Sequence, residues 1–137
     1  MALVRFSVSI DKELVEAFDA LAQAQGYANR SEAVRDALRS QLVRREWEQG
    51  DEVAGVITLL YDHHRHGVSE ALTEIQHHAL AQVISATHVH VDADNCLEFV
   101  AVKGEARAIE KLADRMISLK GVKHGALTAT STGTKLR

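Results

Sequence analysis

Two histidines and one cysteine stand at a spacing that can bind a metal ion. His88 and His90 are two residues apart in THVHV, whose alternation is typical of a strand, so both imidazoles are expected on one face. The turn DADN at residues 92–95 then leads to Cys96, the only cysteine of the chain. If this hairpin sets Cys96 opposite His90, two imidazoles and a thiolate converge within metal-ligand reach, and Glu98 shares their face as a supporting residue.

Histidine is unusually frequent around this stretch. The chain has eight histidines, and all except His124 lie between residues 63 and 90. A set of His and Cys donors suits Zn, Cu(II) or Ni(II), and the donor types alone do not choose among the three metals. A fourth ligand is available from His77 or His78, at the end of a predicted helix. The motif HHRH at residues 63–66 could add metal sites or could form a solvated turn, whereas His124 is interpreted as structural.

The composition excludes several classes of protein. With 46% hydrophobic and 26% charged residues in 137, the chain is typical of a globular protein. A single cysteine excludes an intramolecular disulfide and fits a reducing cytosol. The first ten residues contain arginine and serine, so they predict neither a signal peptide nor a membrane span, and we expect a cytoplasmic protein. The net charge of −3 means that DNA binding must depend on where the charges lie.

The N-terminal residues predict a strand followed by two amphipathic helices. Residues 3–10 alternate apolar and polar, Asp11 is suited to cap a helix over 12–25, Gly26 is suited to end it, and a second helix opens near Ser31. A lone strand leaves its backbone groups without partners, and about 45 residues bury too little surface to be stable alone. We therefore expect two copies to pair their strands as an antiparallel ribbon.

Such a ribbon fits the major groove of B-DNA and can read base edges with its outward side chains. The amide groups at the start of the second helix can bind a DNA phosphate, which a neighbouring arginine would reinforce. Alternatively, the Ser/Arg alternation marks only the solvated face of an edge strand. The candidate DNA-binding residues are Arg5, Ser7 and Ser9 on the ribbon and Asn29, Arg30 and Ser31 at the helix start.

Beyond a polar joint at residues 49–51, the pattern changes to βαββαβ. We predict strands at 53–61, 83–91, 96–102 and 122–130, and helices at 68–80 and 105–120. This order is the ferredoxin-like split arrangement, with both helices on one face of an open sheet. The predicted fold class is therefore α+β, with a paired strand and two helices at residues 1–48 and a ferredoxin-like domain at 52–132.

Two groups of motifs resemble known families. RFSVSID, then Gly26 and NRSEAVRDAL, resembles the ribbon-helix-helix regulators over about the first 45 residues. QHH at 76–78 and THVHVDADNCLE at 87–98 strongly resemble the nickel-responsive repressor family. The second resemblance covers nearly the whole chain, including VAVKG at 100–104 and GVKHG at 121–125.

The resemblance implies a ribbon-helix-helix domain at residues 1–48 and an ACT-like domain at 52–132. It also implies a tetramer, a dimer of dimers, that binds one Ni(II) per subunit in square-planar geometry. The implied ligands are His88, His90 and Cys96 of one protomer and His77 of a neighbour. It also implies that nickel-loaded protein binds a palindromic operator and represses genes for nickel uptake. Glu32 and Asp36 would match a secondary cation site of the family, although acidic residues four apart on a helix are equally typical of a solvated face.

Other interpretations of the sequence stay open. The ACT-like domain could bind a small molecule, or the site could take Cu or Zn instead of nickel. A metalloenzyme is disfavoured because catalytic zinc needs an open coordination position, which four protein ligands would fill. A ribbon-helix-helix antitoxin would lack the long second domain. We therefore predict a regulator that is not an enzyme.

Overall fold

The computed structural model describes residues 2–137, which form four helices and a four-stranded sheet. The chain divides into two compact units, one ending at Ser40 and the other running from Gln41 to Arg137. In chain order the elements are α1 (Lys12–Ala24), α2 (Arg30–Gln49), β1 (Glu52–Asp62), α3 (Val68–His77), β2 (Gln82–His90), β3 (Asn95–Glu105), α4 (Ala106–Ile117) and β4 (Val122–Thr130).

Both helices of the first unit begin at a side-chain cap. The Asp11 carboxylate accepts the N–H of Glu13 at 2.9 Å, as the sequence predicts for the start of α1. The Asn29 side-chain oxygen accepts the N–H of Glu32 at 2.9 Å and so caps α2. Gly26 follows the end of α1 with φ +83°, a backbone conformation that favours glycine, which confirms its predicted role.

The predicted N-terminal strand has no regular secondary structure in the single chain. Residues 2–10 are exposed, including Phe6 at 74%, Val8 at 67% and Ile10 at 50%. Leu14 of α1 and Leu38 of α2 are also more than half exposed. A strand exists only where a second strand accepts its hydrogen bonds, which one copy cannot supply here. The two-copy ribbon therefore stays a prediction, and the exposed apolar side chains are what it would cover.

The second unit confirms the predicted βαββαβ order. Its strands pair antiparallel in the order β2-β3-β1-β4. Burial alternates along β1, so one face of the sheet is covered while the other is half-exposed. The covered face packs on α3 and α4 through Val68, Leu72, Ile109, Leu112 and Met116.

Several helix boundaries differ from the sequence prediction, and α4 ends at Ile117 instead of residue 120. The helix predicted over 68–80 ends at His77, because the chain must turn to place Ala81 in the core, where it meets Gly104. Leu80, which the pattern had included, is 92% exposed in this turn. β3 extends to Glu105, so α4 starts one residue later than predicted. Within residues 2–137, no helix has the length and apolar character to cross a lipid bilayer.

Candidate metal centre

The hairpin of β2 and β3 places the candidate ligands in the expected register. His90 lies directly opposite Cys96, and His88 lies opposite Glu98. On the other side of β3, Tyr61 of β1 lies opposite Cys96. The face shared by Cys96, Glu98 and Tyr61 is the buried face of the sheet. The length of the turn made this register possible, and the structure confirms it.

The turn between these strands is held by one carboxylate. Asp92 Oδ1 accepts the N–H groups of Asp94 and Asn95, both at 2.8 Å. Hydrogen bonds from the Asn95 side chain, and then from the two backbone amides, lower the pKa of Asp92 to about 2. Because this pKa is depressed in the folded state, the stabilisation is present above the ordinary pKa of an aspartate and is lost as pH falls toward 2. The turn therefore keeps its charge at any pH where the hairpin could bind a metal.

A buried carboxylate and a phenol orient His88. Its Nδ1 lies 3.2 Å from the Tyr61 hydroxyl and 3.3 Å from Glu98 Oε1. Tyr61 donates to Glu98 Oε1 at 2.9 Å, and the Gln76 amide donates to Glu98 Oε2 at 3.1 Å. Contact of Nδ1 with these oxygens leaves Nε2 as the His88 nitrogen that is available to a metal ion. The supporting position of Glu98 follows from its strand parity, as the sequence predicts.

Sequence reasoning missed Tyr61 and Gln76. Burial first, and then the hydrogen bonds to Glu98 and Cys96, raise the pKa of Tyr61, so it remains a neutral hydroxyl donor. Its position at the end of an apolar strand gave no sign of this role, because strand pairing between β1 and β3 is not a local feature. Gln76 did have a signal, since it directly precedes His77 at the end of the helix.

The HHRH motif contacts the hairpin. The His63 and His64 Nε2 atoms lie 2.7 Å and 2.9 Å from the carbonyl oxygen of Ala93. The His63 ring also lies against the ring of His90, with 4.6 Å between their centroids. His63 and His64 therefore both contact the turn of the hairpin, and His63 also contacts the candidate ligand His90.

One chain does not assemble the predicted metal cluster. Across residues 2–137, no three His, Cys, Asp or Glu side chains are arranged to hold a metal ion. In this structure His90 packs on His63 and His88 faces Glu98, and the set of His88, His90 and Cys96 as metal ligands stays a prediction. His77 is exposed at the end of α3.

The donor types nevertheless fit a borderline-soft metal. Cys96 is a free thiol, 3% exposed, between Tyr61 and His90 in the sheet. An imidazole stands opposite it, and a second imidazole, His88, lies two residues along the same strand. A thiolate with imidazoles suits Ni(II), Cu(II) or Zn.

The candidate DNA-binding residues fall into two groups. Arg5, Ser7 and Ser9 are exposed on the segment before α1. At the start of α2, Asn29 is the cap, while Arg30 forms a two-bond ion pair with Asp19 at 2.9 and 2.7 Å. The hydrogen bond from Arg30 holds the pKa of Asp19 below its ordinary value. Arg30 is thus fixed beside the helix start, and its guanidinium has further donors for a phosphate.

The two carboxylates of the predicted secondary cation site have protein partners. Glu32 forms an ion pair with Arg35, and Asp36 accepts a hydrogen bond from the Tyr27 hydroxyl. That hydrogen bond raises the pKa of Tyr27. A cation at these carboxylates would have to replace both partners, which the sequence did not reveal.

Comparison with protein families gives two matches that together span most of the chain. Residues 54–130 match the family described as "NikR C terminal nickel binding domain". Residues 4–45 match the family described as "Ribbon-helix-helix protein, copG family".

Several relatives are similar over nearly their full length. A protein of Pyrococcus furiosus is 54% identical over 134 residues, covering 97% of each chain, and carries the name "Putative nickel-responsive regulator". Proteins of the same name from Geobacter sulfurreducens and Thermococcus kodakarensis are 54% and 53% identical, covering 97% and 99% of this chain and 96% and 99% of their own. A homoserine dehydrogenase structure from Thiobacillus denitrificans overlaps 58% of this chain and 18% of its own at 11% identity, with a TM-score of 0.46, too low to bear on function.

Proposed function

This chain belongs to the family of nickel-responsive regulators, and we propose that it binds Ni(II) through three histidines and one cysteine and then represses nickel-uptake genes. Membership makes it a transcription regulator with a ribbon-helix-helix region and a nickel-binding domain, not an enzyme. The proposed ligands are His88, His90 and Cys96 of one subunit and His77 of a neighbouring subunit, with one nickel ion per subunit.

The observation that carries the metal assignment is the pairing of His90 with Cys96, two positions along the hairpin from the pair of His88 and Glu98. Tyr61 and Glu98 fix the tautomer of His88, as residues behind a metal ligand commonly do. His77 is exposed at the end of α3, and we assign it as the fourth donor, given to a site on another copy. An intersubunit ligand is the reason to propose a tetramer, a dimer of dimers.

The DNA-binding proposal uses the first unit. Its apolar side chains before α1 and on both helices are exposed in the single chain, as a ribbon built from two copies requires. A twofold ribbon would bind a palindromic operator with Arg5, Ser7 and Ser9 toward the bases. Asn29, Arg30 and Ser31 would contact a phosphate.

Two smaller assignments go with this proposal. We take residues 1–48 as the DNA-binding and dimerisation domain and 52–132 as the metal-binding and tetramerisation domain. We also propose Glu32 and Asp36 as a secondary cation site. A cation there would replace Arg35 and Tyr27 as their partners.

The test is operator binding in a gel-shift assay with saturating Ni(II) and with chelator. We expect the parent to bind more tightly with Ni(II). With Ni(II), Arg5→Ala should lose about 1–3 kcal/mol of binding free energy, the cost of one two-bond contact to guanine. Its nickel affinity should not change, because Arg5 and the metal ligands belong to different units.

The matched control is Arg115→Ala, which removes the same charge from an exposed position on α4. It should bind the operator like the parent. Equal losses in Arg5→Ala and Arg115→Ala would mean that only total charge matters and would contradict the ribbon assignment.

Tyr61→Phe tests the support of His88. The change removes the hydroxyl that contacts both His88 and Glu98. The buried Glu98 Oε1 then loses one hydrogen-bond donor. We expect nickel affinity to fall about 10–100-fold, as for other residues behind a metal ligand. The free energy of unfolding should fall by about 1–3 kcal/mol.

Thr58→Val is the control on the same strand. It removes a hydroxyl bonded to the Ala126 carbonyl at 3.4 Å, away from the hairpin. Nickel affinity, measured against a competing chelator, should stay at the parent value in this variant. If Tyr61→Phe also keeps the parent affinity, His88 does not need this hydroxyl for binding.

A further inference from the structure

A buried carboxylate of the second unit lines a cavity and lacks a partner. Glu46, near the end of α2, is 6% exposed. Its Oε2 is the one buried side-chain oxygen or nitrogen among residues 2–137 that has no hydrogen-bond partner. The side chain borders a cavity of about 270 Å³. Burying a charge without a partner costs free energy. A group from outside the protein chain is therefore expected to bind this oxygen.

The other charged groups around this cavity are already paired. Lys135 Nζ lies 3.1 Å from Asp51 Oδ2, and Lys103 Nζ lies 3.4 Å from Glu52 Oε1. Three carboxylates and two ammonium groups leave one negative charge, and the two lysines contact carboxylates other than Glu46. The charged groups that line the cavity therefore have a net charge of one negative unit.

The remaining lining groups are hydroxyls. Thr132 and Thr134 border the cavity, and their Oγ1 atoms lie 3.2 Å apart. Carboxylate and hydroxyl oxygens favour hard cations. Since no three acidic or histidine side chains among residues 2–137 are arranged around one ion, water must supply most ligands of such a cation. A divalent ion would leave excess positive charge beside two ammonium groups, which electrostatic repulsion opposes.

We propose that this cavity, bordered by Glu46, Thr132 and Thr134, binds one hydrated monovalent cation, potassium or ammonium. The site is separate from the proposed nickel ligands and from Glu32 and Asp36, none of which borders the cavity. The cation neutralises Glu46 and joins the end of α2 to the segment that follows β4. This proposal does not depend on the metal assignment at the hairpin.

The test is a crystal structure of the full chain grown with Tl⁺, an anomalous scatterer that replaces K⁺. We expect an anomalous peak in direct contact with Glu46 Oε2. The peak should be lost in Glu46→Gln, which keeps the shape and removes the charge, and kept in Glu48→Gln, which changes an exposed neighbour on the same helix. Growth with excess potassium or excess ammonium shows which of the two ions displaces Tl⁺.

Thermal unfolding gives a second measurement on the same variants. The midpoint of the parent and of Glu48→Gln should be higher in potassium chloride than in choline chloride of equal ionic strength. This difference should shrink in Glu46→Gln. No peak at Glu46 in the parent, a peak that survives in Glu46→Gln, or a Mg²⁺ ion that displaces Tl⁺ at lower concentration than K⁺ would each overturn the proposal.

Discussion

Replacing Cys96 with alanine is expected to abolish tight nickel binding. Cys96 is the only thiol of the chain and the only proposed ligand that is anionic when bound. Losing it should cost more than the roughly 10–100-fold typical of a residue behind a ligand. The thiolate-to-metal absorption band should disappear from the Ni(II) titration. Nickel affinity of the parent should also weaken as pH falls, because protons compete for thiolate and imidazole.

The control is Val102→Ala, at a buried position near the other end of β3. This variant loosens the same strand without removing a proposed ligand, so its Ni(II) spectrum and affinity should match the parent. If Cys96→Ala binds Ni(II) as tightly as the parent, the four-ligand site is wrong. Parallel titrations with Cu(II) and Zn against a competing chelator address the remaining choice of metal, and the Ni(II) spectrum tests the square-planar geometry.

The local order of the second unit was predictable from the sequence. Alternation over residues 83–91 and the turn residues Asp92 and Asn95 are short-range signals that predicted the hairpin, and they left His90 opposite Cys96 as a possible register, which the structure has. The end of α3 was not predictable in this way. Ala81 enters the core because Gly104 leaves room for it, and that contact joins residues distant in sequence.

Contacts around the candidate ligands were less predictable for the same reason. Tyr61 reaches His88 and Glu98 only because β1 and β3 are neighbours in the sheet. His63 lies against His90 because the turn after β1 packs on the hairpin. Pattern and spacing therefore select the ligand candidates, whereas the protonation and orientation of each ligand depend on long-range packing.

Two features of the proposal involve a second copy of the chain. The proposed ribbon would cover the exposed Phe6 and Val8 and would supply the missing partner strand. His77 concerns the proposed metal site, to which it would contribute from another subunit. Unbonded strand groups predicted the ribbon. A missing fourth ligand pointed to His77 or His78, and the family resemblance implied that His77 of a neighbouring subunit supplies it.

His77→Ala is expected to remove most of the effect of nickel on operator binding. His77 is exposed at the last position of α3, so the variant should fold like the parent. His88, His90 and Cys96 should still give weak metal binding. Nickel-free operator affinity should not change, since His77 lies outside the residues proposed to contact DNA.

The neighbouring histidine provides a matched control for this variant. His78 is also exposed, and its Nε2 lies 2.7 Å from the Glu74 carboxylate of the same helix. His78→Ala should keep the full response to nickel. Equal behaviour of the two alanine variants would show that neither histidine is the intersubunit ligand.

Coupling between the two sites follows from where the four ligands lie. Three are on the β2–β3 hairpin and one is on α3, so nickel would tie the helix of one subunit to the sheet of another. That link would restrict how the ribbon arms are spaced, and only spacings that match both operator half-sites bind well. A coupling free energy of about 1–3 kcal/mol corresponds to a roughly 5–150-fold change in operator affinity, and the operator must tighten nickel binding by the same factor. Hydrogen exchange should show greater protection of α3 in the nickel-bound parent but not in His77→Ala. If the parent binds the operator equally with nickel and with chelator, the metal has no regulatory effect, because two uncoupled sites cannot transmit a signal.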